Sequence, residues 1–166
     1  LREGELLALT PADFNFETHT LRINKSYQRL HREDVITPPK TLKSNRTIKM
    51  PQFLCDEMQD YLKMLYEPKE DERIFTISKS YLHHEMNRGS KVSGVKRIRV
   101  HDLRHSHVSL LINMGFTVLA IADRMGHESI DITYRYAHLF PSEQTQMAEQ
   151  LDIERMEKLN GEKSGQ

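Results

Sequence analysis

Two glycines, Gly115 and Gly126, cut the stretch from Val100 to Leu139 into three short helical pieces, and no other feature constrains the fold as tightly. The pattern turns helical at His101. Leu103, Leu110, Leu111 and Met114 then recur on one side at about 100° per residue, which predicts an apolar stripe facing a core. His107 falls in that stripe and reads as a core residue. Gly115 marks the stop, and Thr117 can cap a second helix running to Met125 with Gly126 just past its end. Ser129 can cap a third, short helix carrying Tyr134 and Tyr136.

On the side opposite the apolar stripe lie His101, Arg104 and His105. His101 and Arg104 are three residues apart, so they are surface neighbours able to touch one small group. They also sit in the first helical turn, where free backbone N–H groups and the helix dipole favour an anion. An imidazole and a guanidinium at a helix N-terminus make a phosphate site. With His127 and Tyr136 further along, four groups able to act on a phosphodiester occupy one short segment, which points to covalent chemistry on a nucleic-acid backbone. Other readings of the same residues stay open. The spacing of His101 and His105 also suits a metal pair, and His101-Asp102 is half of a metal-dependent phosphohydrolase site.

The chain has 166 residues, enough for one domain with a real core. Its single cysteine, Cys55, excludes an internal disulfide and fits a reducing compartment such as the cytoplasm. There is no apolar run of the ~18 residues that a bilayer span needs and no signal peptide, so no membrane is expected. Leu1 stands in a helical pattern already under way, and the chain reads as part of a longer protein. Net charge is zero, but it is unevenly spread. Arg22 to Lys49 holds eight Lys or Arg against two acids, and Arg88 to His107 holds six against one. Acid collects from Asp56 to Glu72, seven against two, and from Pro141 to Gln166, six against three. Such sidedness attracts a polyanion. It singles out Lys43, Arg46, Lys96, Arg97 and Arg99 as DNA-binding candidates.

Along the rest of the chain, Arg2 to Ala8 reads as a helix stopped by Thr10-Pro11. Alternating stretches at Phe14 and Phe16, Leu21 and Ile23, Val35 to Thr37 and Ile48 to Met50 predict an antiparallel sheet of about three strands. Pro51 should open an amphipathic helix with Leu54, Met58, Tyr61, Leu62 and Leu65 on one face. Ser78 to about Asn87 reads as a further helix, and Arg88 to Val100 as an exposed basic loop able to lie along a phosphate backbone. A charged helix is expected from Ser142 to about Leu159, and 160–166 as a disordered tail. The fold class is therefore α+β, predominantly helical with one small antiparallel sheet.

Five pieces, in order, resemble the tyrosine recombinases, also called the phage integrase family. They are Leu1-Arg2-Glu3-Gly4-Glu5-Leu6, Pro39-Lys40-Thr41, His101-Asp102-Leu103-Arg104-His105, Met125-Gly126-His127 and Tyr136-Ala137-His138-Leu139. The Thr-Pro-Pro-Lys-Thr and Tyr-x-His-Leu forms look nearest to integrases of phages and conjugative transposons. The resemblance implies the catalytic-core fold of that family over 1–159. The family's catalytic domain normally has helices before the position of Arg2, and most members have separate DNA-binding domains before those.

By the same resemblance, Arg2, Lys40, His101, Arg104, His127 and Tyr136 are the expected catalytic residues, with Glu5 and His105 in support. The implied activity is site-specific cleavage and rejoining of double-stranded DNA through a 3′-phosphotyrosine, without metal or other cofactor, by a homo-tetramer on DNA. The product would be integration or excision of a mobile element, and the protein bacterial or phage-encoded and nucleoid-associated. Chromosome-dimer resolution is the alternative within the family. A metal-dependent phosphohydrolase and a non-catalytic DNA-binding module are the alternatives outside it. Tyr134 rivals Tyr136 as nucleophile, since on a helix the two point roughly 200° apart. The resemblance favours Tyr136 and leaves Tyr134 to packing.

Overall fold

The computed structural model describes residues 1–39, 41–136, 138 and 147–155. Helix α1 (Glu3–Leu7) ends ahead of Thr10-Pro11, as the proline requires. Strands β1 (Phe14–Asn15), β2 (Thr20–Ile23) and β5 (Arg46–Lys49) form an antiparallel sheet in the order β1-β2-β5, with Leu21 opposite Ile48. Between β2 and β5 the chain makes a separate hairpin of β3 (Ser26–Leu30) and β4 (Glu33–Thr37). Val35 to Thr37 thus belongs to this hairpin and not to the three-stranded sheet. Its turn is built from His31 and Arg32, both at positive φ (50° and 71°). These positions usually take Asn-Gly, so the hairpin leaves no turn signal in the sequence.

The hairpin packs on α1 closely enough that a Cβ on Gly4 would meet Ser26 Oγ at 2.5 Å and the Tyr27 carbonyl at 2.9 Å. Leu7, Ala8 and Tyr27 close this contact, and the Arg73 guanidinium covers the Tyr27 ring at 3.8 Å while pairing with Asp34 at 2.9 Å. Helix α2 (Gln52–Met64) starts after Pro51. Its face of Leu54, Met58, Tyr61 and Leu62, with Leu65 following, lies on the sheet core of Leu9, Leu21, Ile23, Met50 and Ile74. Helix α3 (Lys79–Ser93) runs six residues past the expected end at Asn87. Gly89 inside it costs only about 1 kcal/mol, whereas Gly94, left-handed at φ 69°, stops it. The exposed loop is accordingly shorter than expected.

Helices α4 (Asp102–Asn113) and α5 (Val118–Met125) pack through Val108, Ile112, Ile121 and Met125. The predicted stripe on α4 is corrected here. Leu103, Leu110 and Met114 are about half exposed or more, His107 is only partly buried, and the buried row is Arg104, Val108 and Ile112. The face that enters the core is the one that carries the arginine. Thr117 caps α5 by accepting from the Ala120 N–H, and Gly126 ends it at φ 65°. Ser129 Oγ accepts from the Asp131 N–H at the start of α6 (Asp131–Tyr134). Tyr136 lies just beyond that helix, on a turn whose N–H donates to the Thr133 carbonyl at 3.0 Å.

Residues 147–155 are helical, and Met147, Leu151 and Ile153 along them are at least half exposed. Ser142, Met156, Leu159 and the tail 160–166 lie outside the described residues. No helix among the described residues is long and apolar enough to cross a membrane. The fold is α+β, mainly helical with a small antiparallel sheet.

Candidate active site

The site is assembled from α1, the start of β5, the first turns of α4 and the C-terminal end of α5. Arg2 precedes α1, and its backbone N–H and Nη1 each donate to a Glu5 carboxylate oxygen at 2.7 Å. Arg46 reaches the same carboxylate from β5, through Nη2 at 3.0 Å and Nη1 at 3.2 Å. Glu5 is 3% exposed. Burial pushes its carboxyl up, but the bonds from Arg46 and Arg2 outweigh that and hold it at about 2. One buried carboxylate thus organises two guanidiniums.

Arg46 was expected to face DNA from its basic block; the structure corrects this. Its side chain is turned inward, with Nε donating to the Arg124 carbonyl at 3.1 Å and Nη1 to the Ser44 carbonyl at 2.9 Å. The reason is electrostatic: Glu5 lies buried beside it and needs a cation. The packing is tight, since a Cβ on Gly126 would lie 2.9 Å from Arg46 Cδ. Lys43, Lys96, Arg97 and Arg99 are exposed, Arg99 in an ion pair with Asp102 at 2.8 Å.

The end of α5 is where the arginines meet. Arg2 Nη2 donates to the Gly126 carbonyl at 3.2 Å, and Arg104 Nη2 donates to the carbonyl of Met125. Consecutive carbonyls at the negative end of one helix therefore moor two cations side by side. Arg104 is 8% exposed, and its Nη1 is buried without a partner among the described residues. Burial, followed by the nearby charges of Arg2 and Arg46, lowers it to about 10, so it stays charged at neutral pH. The next residue after these carbonyls is His127, 7% exposed, with Nδ1 bonded to Thr133 Oγ1 at 2.8 Å. Burial and then Arg104, Arg2 and Arg46 drive its pKa down to about 4, which keeps it neutral at pH 7.

His101 caps α4 and is exposed beside Arg104. Burial, then His105 and Arg104, lower its pKa. The backbone part of the expected anion site is not there. The Asp102, Leu103 and Arg104 N–H groups already donate to Arg99, Val100 and His101 carbonyls at 2.9, 3.2 and 3.0 Å. An anion here must be held by side chains. Tyr136 packs against the α4–α5 core and its hydroxyl bonds to His105 Nδ1, whereas Tyr134 is 53% exposed. Lys40 lies outside the described residues.

No pattern in the sequence points to Ser44, which accepts from Arg2 at 3.1 Å, or to Thr133, which orients His127. Both are small hydroxyls whose role depends on contacts distant in sequence. The metal-site reading needs a third ligand beside His101 and His105. Asp102 instead faces Arg99, and no three His, Cys, Asp or Glu side chains gather among the described residues.

A mainly helical domain with a small sheet and a hairpin, gathering Arg2, Arg104 and His127 at the end of one helix, agrees with the fold expected of a tyrosine recombinase. The chain belongs to the phage integrase family, whose model matches residues 1–143. The integrase of ICEBs1 from Bacillus subtilis is 32% identical over 166 residues, spanning 92% of this chain and 45% of that protein. A XerC-like tyrosine recombinase of Caldanaerobacter subterraneus is 26% identical over 92% of this chain and 46% of its own length. Among solved structures, the Tn1549 transposon integrase in complex with circular intermediate DNA superposes with a TM-score of 0.70 at 20% identity, over 94% of this chain and 56% of that one. The chain spans about half the length of the curated relatives it matches.

The Glu5 cluster makes a stability prediction. Its pKa is depressed from 4.5 to about 2, which corresponds to about 3 kcal/mol of stability. That contribution is fully present above pH 4.5 and fades as pH falls toward 2. Glu5→Gln should therefore be less stable than the wild type at pH 7, with the gap closing in acid. Urea unfolding of both proteins at pH 7 and pH 3 measures this.

Proposed function

We propose that residues 1–159 are the catalytic domain of a site-specific DNA recombinase that cuts and rejoins double-stranded DNA through a 3′-phosphotyrosine. The observation that carries this is the mooring of Arg2 and Arg104 on consecutive carbonyls next to buried His127. Fixed guanidiniums of this kind suit the two non-bridging oxygens of a phosphodiester, whose charge grows in the transition state. Tyr136 is the nucleophile; its oxygen bonds to phosphorus as the 5′-oxygen leaves. Lys40, a flexible ammonium, protonates that oxygen. His101 and neutral His127 hydrogen-bond the phosphate oxygens, and Glu5 holds Arg2 in place. The bond energy is retained in the phosphotyrosine, so rejoining needs no nucleotide.

The exposed basic residues Lys43, Lys96, Arg97 and Arg99 lie along the DNA backbone. The exposed apolar positions on 147–155 dock on a neighbouring protomer of a homo-tetramer. Integration or excision of a mobile element is favoured over chromosome-dimer resolution by the integrase among the relatives at 32% identity. Work on DNA places the protein in the cytoplasm, at the nucleoid.

The test is to incubate the full-length protein with a nicked suicide substrate in EDTA. The expected result is a protein–DNA band that survives denaturant. A metal-dependent phosphohydrolase or an idle DNA-binding module gives none.

A further inference from the structure

The phenol of Tyr136 is hydrogen-bonded to His105, with the Arg104 charge near enough to act on it. We infer that His105 is the base that takes the phenolic proton when Tyr136 attacks, a role separate from that of His101. The inference rests on the recombinase reading above.

Geometry assigns the two histidines different work. They lie one helical turn apart on α4, with ring centroids 4.9 Å apart and edge to face. His105 is the inner of the pair, half-buried, with its ring centroid 5.8 Å from that of Tyr136 and its Nδ1 on the hydroxyl. His101 is the outer one, exposed beside Arg104. For Nδ1 to accept from the phenol, the imidazole must be neutral with its proton on Nε2. Tyr136 itself needs such help, because burial raises its pKa above that of a free phenol.

Several charged and titratable groups surround His105. On α4 these are His101, Asp102 and Arg104, with Asp102 already committed to Arg99. From the end of α5 it faces His127, and from beyond α6 Tyr136, on which Arg135 acts in turn.

The step balances. The Tyr136 oxygen forms its bond to phosphorus, and the proton passes to His105 Nδ1. The bond from phosphorus to the 5′-oxygen breaks with its electron pair on oxygen, and Lys40 supplies the proton that makes the 5′-hydroxyl. Rejoining runs the same transfers backwards, with His105 returning the proton to the phenolate.

The experiment measures single-turnover cleavage by the full-length protein on two suicide substrates. One is ordinary DNA; the other carries sulfur in place of the bridging 5′-oxygen, so the leaving group departs without protonation. The expected result is that His105→Gln slows cleavage by about 10²–10⁴-fold on both substrates. DNA binding in a gel shift stays at the level of Tyr136→Phe, and added imidazole restores activity to His105→Ala. Lys40→Ala, in contrast, should be rescued by sulfur.

Cleavage by His105→Gln at or above the wild-type rate overturns the inference, and so does its rescue by the sulfur substrate. One measurement needs no variant. On the sulfur substrate the wild-type rate should still fall on the acid side, where the imidazole takes up a proton; a flat profile also overturns the role. If the wild type itself gives no adduct, the recombinase reading fails, which is a different result from active protein with indifferent His105 variants.

Discussion

Tyr136→Phe is expected to abolish the covalent adduct on a nicked suicide substrate, while Tyr134→Phe retains it. Removing a nucleophile outright costs on the order of 10⁵–10⁶ in rate, beyond the reach of a denaturing gel. The substitution is a clean one physically. The Tyr136 ring packs against the core of Val108, Ile112, Ile121 and Met125, and phenylalanine keeps that packing. Only the hydrogen bond to His105 goes, at about 1 kcal/mol. Folding and DNA binding should therefore survive, so loss of the adduct isolates the chemistry. Tyr134 sits on α6 with half its surface in solvent. An adduct that persists in Tyr136→Phe and vanishes in Tyr134→Phe would reverse the assignment.

The parts of this molecule legible in the sequence are those where a local rule and the tertiary structure agree. Gly126 past the end of α5, Thr117 at its start and Pro51 ahead of α2 each mark a boundary through their own backbone chemistry. The grouping of Arg2, Arg104 and His127 was legible only through the family pattern, since no periodicity links residues so far apart in the chain. Helix α4 misled because its buried row begins with Arg104, while Leu103, Leu110 and Met114 face outward. An amphipathic reading assumes that charge faces water, and here an arginine stands in the buried row. Strand β3 was hidden for a different reason. Of its residues only Tyr27 is buried, and the His31-Arg32 turn lacks the glycine that would announce a hairpin. Arg46 shows the limit of charge counting: a basic block contains it, but a buried carboxylate claims it.

Arg104 lets the cost of the site be measured apart from its use. Its pKa is lowered well below the usual arginine range, to about 10, by burial and by the charges of Arg2 and Arg46. A cation whose folded-state pKa is depressed destabilises the protein at every pH below that value, and the penalty is released only as pH rises above about 10 toward the ordinary arginine range. The penalty is about 3 kcal/mol, offset in part by the bond to the Met125 carbonyl at about 1 kcal/mol.

Arg104→Met fills much of the same space without charge. It is expected to be more stable than wild type by about 1–2 kcal/mol, consistent with the usual result of replacing buried charge by packed apolar groups. Cleavage by the same variant should fall by at least about 10³-fold, because a fixed donor to the developing charge is gone. Thermal unfolding and suicide-substrate cleavage, on the same preparations, check both halves. The unpartnered Arg104 Nη1 makes a third readout available. Sulfate, standing in for the phosphodiester, should raise the wild-type melting temperature and leave Arg104→Met nearly unmoved. A variant that lost stability and kept its response to sulfate would mean that Arg104 is a structural brace and that the anion is held elsewhere.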